Sequence, residues 1–543
     1  MFLRYGLLRK TGFRLRAGVG PFHLGPHLKT GEAWGGRSRG RSPVFLDRMA
    51  GKGLNMRKVK MGLLVAFLVV AGIAAVAGPA RGAYITVYGG PTYDASTQTG
   101  YVNPAIPKVN DAGMAVGSVD KYDAGAYMGS RAIRWDGSGT AASELGNLGT
   151  DASGKTSSRV YAINDVGTAV GYAHKYDAGA YKGERAVRWD ASGTATELGM
   201  SASGLTSIMA RAINDAGTAV GYAGRHGVAP GGGPCAARWD ASGTVTELGN
   251  LGTGAEGRIY AEAWDINAAG TAVGYAYKYD AGVLKGNRAV RWDASGTAAT
   301  ELGNLGTDAS GVIPYAKACA INDAGTAVGY VQKYDAGAHK GFRAVRWDAS
   351  GTAATELGNL GTNASGTASG MARAINDAGT AVGYAYKYDA GVSQGTRAVR
   401  WDASGTAATE LGNLGTDASG KTLAEARDIN AAGAVVGWAQ KYNASGTYVG
   451  NRAVYWDLDG TAVNLNSLID HASGWTLTSA YAISDTGWIA GIGSYDPDGA
   501  GGLAAYDRLF LIQVTQVPEP ATLALLGFGG LGLALKRRRR FQV

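Results

Sequence analysis

A short stretch, Tyr161-Ala-Ile-Asn-Asp-Val-Gly-Thr-Ala-Val-Gly-Tyr172, returns with few changes along most of this 543-residue chain. Its asparagine or serine position falls at Asn110, Asn164, Asn214, Asn267, Asn322, Asn376, Asn430 and Ser484. Successive copies therefore lie 50 to 55 residues apart. Self-similarity at such a period is typical of repeat architectures. Because the repeats cover most of the chain, we expect one body built from eight like units.

Each repeat predicts four short β-strands. In the second copy these are Tyr161–Ile163, Thr168–Tyr172, Arg185–Trp189 and Thr194–Leu198. Asn-Asp-x-Gly and Asp-Ala-Ser-Gly turns join the first pair and the last pair, since Asn, Asp and Gly accept turn geometry. We expect a longer loop over His174–Gly183. No stretch shows the 3.6-residue apolar period of a helix.

Four strands in about 54 residues is the size of a propeller blade. A β-solenoid repeats at far shorter periods, and a separate sandwich of this size would bury too small a core. The sequence therefore predicts an all-β, eight-bladed β-propeller of four-stranded antiparallel blades over residues 84–516. The last copy lacks an outer strand. A spare strand, Tyr84–Tyr88, precedes the first copy, so we expect Tyr84–Tyr88 to run antiparallel to Leu509–Val514 and close the ring.

The repeats resemble the HAF repeats of bacterial extracellular proteins. That family has a leucine-glycine strand, an Ala-Ile-Asn-x-x-Gly-x-x-Val-Gly signature and a His-Ala-Phe-x-Trp strand. Glu197–Gly199, Ala212–Gly221 and Arg185–Trp189 correspond to them here, with Arg in place of His and Val in place of Phe. The resemblance implies an extracellular repeat protein and says little about activity.

The N-terminal residues 56–83 predict a secretory signal peptide. A charged segment, Met56–Met61, precedes an apolar one, Gly62–Ala77, and small residues suited to cleavage follow up to Ala83. Residues 1–55 are basic, rich in Gly and Arg, and lack any periodicity. We interpret them as an upstream extension, with Met49 or Met56 as an alternative start.

The C-terminal residues 517–543 predict a sorting signal. Pro518, Glu519 and Pro520 precede an apolar segment at residues 521–535 and a basic tail of Lys536, Arg537, Arg538, Arg539 and Arg540. As a helix this segment spans about 22 Å, short for a bilayer core, and the basic tail favours the cytoplasmic side. The pattern resembles the PEP-CTERM signal. The resemblance implies an exosortase as partner, transient inner-membrane anchoring through residues 521–535, and transfer to the cell surface or matrix.

Charge argues against a nucleic acid partner, and the positions of the cysteines argue against a disulfide. The net charge of +9 comes from the two ends of the chain, since residues 84–517 hold 32 basic and 40 acidic side chains. A nucleic-acid-binding surface needs a basic face, so we expect no nucleic acid partner. Cys235 and Cys319 lie in different, non-adjacent repeats at positions that other copies fill with arginine, so we expect no disulfide between them.

The sequence predicts no catalytic, cofactor or metal site. His174, His226, His339 and His471 have no metal-ligand spacing, and we expect them in loops or linkers. The Asp-Gly motifs at Asp457 and Asp496 lack a calcium-loop glutamate. A glycosidase needs two carboxylates, but Asp136, Asp190, Asp293 and Asp348 recur in nearly every copy and suit turns better. The deviant loop Gly224–Pro234 is the first place to look for a function of one copy only.

Tryptophans recur at one place of the repeat: Trp135, Trp189, Trp239, Trp292, Trp347, Trp401 and Trp456. Packing between blades is the favoured interpretation and sugar stacking is the alternative. For the whole chain we expect a non-enzymatic scaffold of the cell surface or extracellular matrix that binds exopolysaccharide. A lectin-like adhesin and a glycan-active propeller enzyme are the alternatives, and the enzyme would need single-copy acids at the central channel.

Overall fold

Eight antiparallel sheets surround a common axis in the computed structural model, which describes residues 84–199, 207–224, 232–312, 315–499 and 501–514. Seven of them have four strands and one has five. Each sheet is one blade, and in blades 1 to 7 the strands run in chain order from the axis to the rim, whereas the outer strand of blade 8 comes from the N-terminal end of the propeller. The predicted all-β, eight-bladed propeller is confirmed.

The strand bounds follow the repeat. Blade 1 contains Tyr93–Asp94, Thr99–Val109, Met114–Asp123, Ala126–Asp136 and Ser143–Glu144; blade 2 Ser158–Ile163, Ala169–Asp177, Ala180–Trp189 and Ala195–Glu197; blade 3 Ser207–Ile213, Ala219–Gly224, Pro234–Trp239 and Val245–Glu247; blade 4 Ala261–Ile266, Ala272–Asp280, Val283–Trp292 and Ala299–Glu301. Blade 5 contains Ala316–Ile321, Ala327–Asp335, Ala338–Trp347 and Ala354–Glu356; blade 6 Gly370–Ile375, Ala381–Asp389, Val392–Trp401 and Ala408–Glu410; blade 7 Ala424–Ile429, Val435–Tyr442, Tyr448–Trp456 and Ala462–Asn464; blade 8 Trp475–Ile483, Trp488–Tyr495, Tyr506–Gln513 and Tyr88–Gly89.

The loop expected over His174–Gly183 is a β-hairpin instead. The second strand of blade 2 continues to Asp177 and the third begins at Ala180, so two residues form the turn. Ala178 has φ 47° and Gly179 has φ 79°, the left-handed pair of a type I′ turn, whose twist matches that of the strands. Alanine is unusual at the first of these positions, which is why the pattern did not indicate a turn.

The repeated asparagine joins each blade to the next. The side-chain Nδ2 of Asn322 donates to the carbonyl oxygen of Asn376 at 3.0 Å, and its Oδ1 accepts from the N–H of Thr326 at 2.9 Å. The same side-chain-to-backbone link, 3.0 to 3.2 Å long, runs from Asn110, Asn164, Asn214, Asn267, Asn376 and Asn430 to the following copy. Ser484 has no amide, and the last interface is closed by Thr486 Oγ1, which donates to the carbonyl of Asp111 at 2.7 Å.

Removing one of these amides should be costly. Asn322 is buried, so Asn322→Ala leaves the Asn376 carbonyl and the Thr326 N–H without their hydrogen bonds. We expect the free energy of unfolding to fall by about 2–4 kcal/mol in urea titrations. Asn304→Ala is the control, because Asn304 Oδ1 accepts one exposed local hydrogen bond from Gly306. Equal losses in the two variants would contradict this role for the inner asparagines.

Tryptophan and arginine of the third strand join the blades in opposite directions. Trp292 is fully buried, and its Nε1 donates to the carbonyl of Gly249 in the preceding blade at 2.9 Å. Trp189, Trp239, Trp347, Trp401 and Trp456 make the equivalent bond. Arg238 reaches the next blade, where it donates to the carbonyls of Asp293 and Ala294 at 2.9 and 2.8 Å. Packing between blades is therefore confirmed as the role of these tryptophans.

The ring is closed by the N-terminal strand, as predicted, over a shorter stretch. Tyr88 and Gly89 pair antiparallel with Leu511 and Phe510, and Gly90 N–H donates to Leu509 at 2.9 Å. Arg508 fastens this strand from the side, because its Nε and Nη2 donate to the Gly90 carbonyl at 3.0 and 2.7 Å. The sheet edge of blade 8 is therefore covered by chain from the other end of the propeller.

Two short 3-10 helices, Leu465–Ser467 and His471–Ser473, lie between blades 7 and 8. They are the only helices in the described ranges, and neither is long or apolar enough to cross a bilayer. The predicted signal peptide and its upstream extension, residues 1–83, and the C-terminal segment from residue 515 lie outside the described residues. The flanking helices expected there are therefore not observed.

Candidate functional site

The inner strand of each of blades 2 to 8 contains a β-bulge at the same position of the repeat. The register shifts across the third residue before the asparagine, for example between Ala263 and Asp265 around Trp264. Bulges re-aim side chains and are frequent beside functional sites. The residue at the bulge differs among copies, whereas most of the motif repeats. These residues are Tyr161, Arg211, Trp264, Cys319, Arg373, Arg427 and Tyr481.

The bulge residues, with Glu262, Lys317 and Glu425 two positions earlier in their strands, form what we call the axial cluster. Its first half centres on Trp264. Lys317 Nζ of the following blade lies 2.8 Å from the centre of the indole, and the Arg211 guanidinium of the preceding blade lies 4.1 Å from it. Arg211 also lies 3.4 Å from Glu262 and 5.6 Å from the Tyr161 ring. Cations held against aromatic faces in this way are stabilised by the ring quadrupole.

The second half of the axial cluster centres on Glu425. Its carboxylate pairs with Arg373 of the preceding blade and lies 3.5 Å from Arg427 of its own strand. Trp438 Nε1 donates to Glu425 at 3.1 Å. The guanidinium of Arg427 lies 4.2 Å from the ring of Tyr481 in blade 8. Cation–aromatic and ion-pair contacts thus link the axial cluster from blade 2 to blade 5 in its first half and from blade 6 to blade 8 in its second half.

Several donors of the axial cluster lack a hydrogen-bond acceptor among the described residues. Within the described ranges, Arg211 Nε, Trp264 Nε1 and Arg427 Nε are buried and make no hydrogen bond. Burial lowers the pKa of Lys317 to about 8, and the charges of Arg211 and Arg373 act in the same direction. A buried donor without a partner is costly, so these groups favour a ligand that offers acceptors or negative charge.

Two half-buried acids, Asp265 and Asp428, directly follow bulge residues in their strands. Burial raises the pKa of Asp265 to about 6 and raises that of Asp428, while the charge of Lys108 lowers both. Each carboxylate accepts from the backbone of the next blade: Asp265 from Ile321 at 2.9 Å and Asp428 from Ile483 at 3.1 Å. Their first role is therefore to join inner strands.

The mouth of the channel at the asparagine turns is acidic. A cavity of about 360 Å3 is bordered there by the asparagine turns of all eight blades. Carboxylates of six blades surround it, and each accepts a backbone N–H from the preceding blade at 2.6 to 3.0 Å: Asp111, Asp165, Asp215, Asp323, Asp377 and Asp485. Blades 4 and 7 carry Ala268 and Ala431 instead. Over the described part of the chain, no group of three or more His, Cys, Asp or Glu side chains is arranged to hold a metal ion.

The other residues singled out in the sequence are mostly structural. Asp190 Oδ1 accepts from Ser192 and Thr194 N–H at 2.8 and 3.0 Å, which confirms its predicted turn role. His174 and His339 were expected in loops but lie in strands of the extended hairpins, and His471 lies in a 3-10 helix.

Cys235 and Cys319 lie in different blades. Cys235, in the third strand of blade 3, donates through Sγ to the Ala223 carbonyl at 3.1 Å. Cys319 is the bulge residue of blade 5.

Four predicted site regions lie outside the described residues: the middle of the deviant loop, 225–231, with His226; the sorting motif Pro518–Pro520; the apolar segment 521–535; and the basic tail 536–540. The axial cluster itself was missed by the sequence analysis. Its signal was present as the variable position three residues before the repeated asparagine, where Arg, Tyr, Trp and Cys replace one another.

Comparison with known families places two segments of the chain. Residues 242–414 match the model of DUF3466, described as a protein of unknown function. Residues 516–540 match the PEP-CTERM protein-sorting motif. The second match confirms the predicted C-terminal signal and indicates export, sorting by an exosortase and surface association. A search of curated proteins finds no match.

Solved structures similar to this chain are distant. The β-propeller domain of the Trilobed protease from Pyrococcus furiosus is 10% identical, with 67% of this chain and 95% of that one covered at a TM-score of 0.37. A puromycin hydrolase is 11% identical, with 76% and 62% covered and a TM-score of 0.36. A protein of unknown function from Dyadobacter fermentans is 11% identical, with 80% and 100% covered and a TM-score of 0.30. Likenesses at this level say nothing about what this chain binds.

Proposed function

We propose that the chain is an exported, non-enzymatic scaffold of the cell surface or extracellular matrix, and that its propeller binds exopolysaccharide. Export is supported by the PEP-CTERM match at residues 516–540. We further propose that residues 521–535 anchor the protein in the inner membrane until an exosortase cleaves near Pro518–Pro520. The resemblance of the repeats to the HAF family supports the same extracellular setting.

The observation that carries polysaccharide binding is a set of exposed aromatic pairs on the blade hairpins. Tyr176 and Tyr181 face each other across the hairpin of blade 2, with ring centres 5.6 Å apart. Blades 1, 5 and 7 have the same arrangement, at 5.4 to 5.8 Å: Tyr122–Tyr127, Tyr334–His339 and Tyr442–Tyr448. Flat, partly exposed rings suit stacking on sugars, and a repeated polymer engages several of them at once.

Binding is tested by retention on immobilised matrix polysaccharide. Tyr127, Tyr181 and Tyr448 are 40%, 53% and 49% exposed. Replacing all three by Ser should weaken retention of the purified exported protein at least about tenfold, because loss of several weak contacts multiplies.

The control is a second triple variant that combines Tyr84→Ser, Val166→Ser and Leu503→Ser. These exposed apolar residues lie outside the hairpin pairs. Equal retention of both triple variants would exclude the hairpins as the binding surface. If neither triple variant nor the unaltered protein is retained, polysaccharide binding itself is excluded.

Processing is a separate prediction. If an exosortase removes the C-terminal segment, mass spectrometry of protein isolated from the cell surface should find no peptide from Lys536–Val543. The first 55 residues should also be missing. An intact basic tail on surface material would contradict the proposed route.

The two alternatives of the sequence analysis differ in what they require. A lectin-like adhesin needs only the binding just described, on the glycans of another cell. A glycan-active enzyme needs single-copy acids at the channel, and Glu262, Asp265, Glu425 and Asp428 occur there in two of the eight copies. Release of reducing ends from the bound polysaccharide, abolished by Glu262→Gln with Glu425→Gln, would favour the enzyme over the scaffold.

A further inference from the structure

The axial cluster is chemically unlike the hairpin surface. Among its charged members the cations Arg211, Lys317, Arg373 and Arg427 outnumber the acids Glu262 and Glu425. The rest of residues 84–517 has an acidic balance, with 32 basic against 40 acidic side chains over the whole stretch. A positive group at the axis of an acidic propeller favours a negatively charged ligand.

The aromatic members of the axial cluster further narrow the class of ligand that it can bind. Trp264 contacts cations of both neighbouring blades, and Tyr161 and Tyr481 lie at the two ends of the cluster. A small inorganic anion would contact the cations and make no contact with these rings. A ligand with a flat or ring-shaped body and a negative group uses both, since the ring stacks while the acid accepts charge-assisted hydrogen bonds.

The unsatisfied donors agree with such a ligand. Arg211 Nε, Trp264 Nε1 and Arg427 Nε make no hydrogen bond inside the described ranges although they are buried. Sugar hydroxyls and a carboxylate provide acceptors for these N–H groups. A neutral sugar would satisfy the indole but leave the excess positive charge uncompensated.

We propose that the axial cluster binds the acidic sugar of a polysaccharide, with the carboxylate of a hexuronic acid between the cations and its ring beside the aromatic members of the cluster. This inference rests on the proposed polysaccharide binding and names its substrate class. The hairpins hold the polymer by repeated weak contacts, and the axial cluster selects polymers that carry uronic acid.

The test compares three oligosaccharides of equal length by calorimetric titration of the purified exported protein. Oligogalacturonate should bind at least about tenfold more tightly than neutral galactan, because two or more charge-assisted hydrogen bonds are added. A sulfated galactan separates carboxylate selection from attraction to any anion. Sulfated galactan binding as tightly as oligogalacturonate would overturn the assignment to uronic acid.

Two double variants locate the site. Lys317→Met with Arg427→Gln removes two positive charges from the axial cluster and should reduce oligogalacturonate affinity at least about tenfold while retention on the neutral polymer is unchanged. Lys421→Met with Arg258→Gln removes the same charge from exposed positions outside the hairpins and should leave affinity unchanged. Equal losses in both variants, or none in the axial one, would overturn the axial site without touching the hairpin proposal. Failure of the unaltered protein to bind any polysaccharide would instead overturn the proposed function.

A measurement on the unaltered protein covers the case in which the axial variant fails to fold. With a pKa of about 8, about half of Lys317 is neutral and nucleophilic at pH 8, so it should react with an acetylating reagent. Bound carboxylate favours the charged amine and covers it, so oligogalacturonate should slow acetylation of Lys317 several-fold, as followed by mass spectrometry. Lys421, which is exposed and lies outside the hairpins, is the internal control. Equal labelling of Lys317 with and without oligogalacturonate would overturn the proposal.

Discussion

Trp292→Ala should lower the free energy of unfolding of the propeller by about 3–5 kcal/mol, the range typical of large core truncations. The indole is fully buried and packs with residues of both its own blade and blade 3, including Val220, Ala236 and Leu248. Its removal leaves a cavity between two sheets and breaks the hydrogen bond to Gly249. Urea unfolding followed by far-ultraviolet circular dichroism measures the loss.

A pair of conservative variants separates the hydrogen bond from the packing. Trp292→Phe keeps most of the volume and loses the bond to Gly249. Trp135→Phe is the matched control, because Trp135 is 3% exposed and its Nε1 has no hydrogen-bond partner within the described ranges. We expect Trp292→Phe to cost about 1 kcal/mol more than Trp135→Phe. The reverse order would show that the indole bond contributes nothing to blade docking.

Deleting residues 84–90 should open the ring. The deletion removes the strand at Tyr88–Gly89, the half-buried Ile85 and Val87 that pack on blade 8, and the acceptor of Arg508. From the apolar surface alone we expect a loss of roughly 3–6 kcal/mol in the free energy of unfolding. The third strand of blade 8, Tyr506–Gln513, becomes a free edge, so the variant should also self-associate.

Light scattering coupled to size-exclusion chromatography reports the second effect. Arg508→Gln is the graded control, since it weakens the lateral hold on Gly90 and leaves the strand pairing in place. That variant should lose stability and keep the mass of the unaltered protein. A deletion variant with unchanged mass and unchanged stability would show that the N-terminal strand does not close the ring.

The blade number and the closing strand were predictable because they depend on counting. The asparagine position from Asn110 to Ser484 numbers the blades directly. The absence of an outer strand after Leu509–Val514, together with the spare Tyr84–Tyr88, leaves one pairing for the free edge. Turn chemistry at Asp190 was equally local, since the carboxylate bonds to backbone within four residues.

The contacts within the axial cluster were not predictable, for a physical reason, although its variable position was visible in the sequence. Its members touch only because a bulge turns one residue of each inner strand, and a register shift leaves no mark in the period of the sequence. The contacts of Arg211 with Trp264 and of Arg427 with Tyr481 join residues one repeat apart. The extended hairpins were missed because Ala178 adopts a left-handed conformation that alanine rarely takes.

The interface between blades 8 and 1 differs from the others, because Thr486 makes the link that an asparagine amide makes elsewhere. Because the other seven links share one chemistry, any two blades carry nearly interchangeable docking faces while the chain is still incomplete. During folding, two non-neighbouring blades that dock on each other therefore gain much of the stabilisation that correct neighbours gain. Such misdocked states compete with the native arrangement. The distinct join of Thr486 with Asp111 marks where the first and last blades meet, and the pairing of Tyr88 with Leu511 completes blade 8. The chemistry of this one join therefore distinguishes the first and last blades from the other pairs of neighbours.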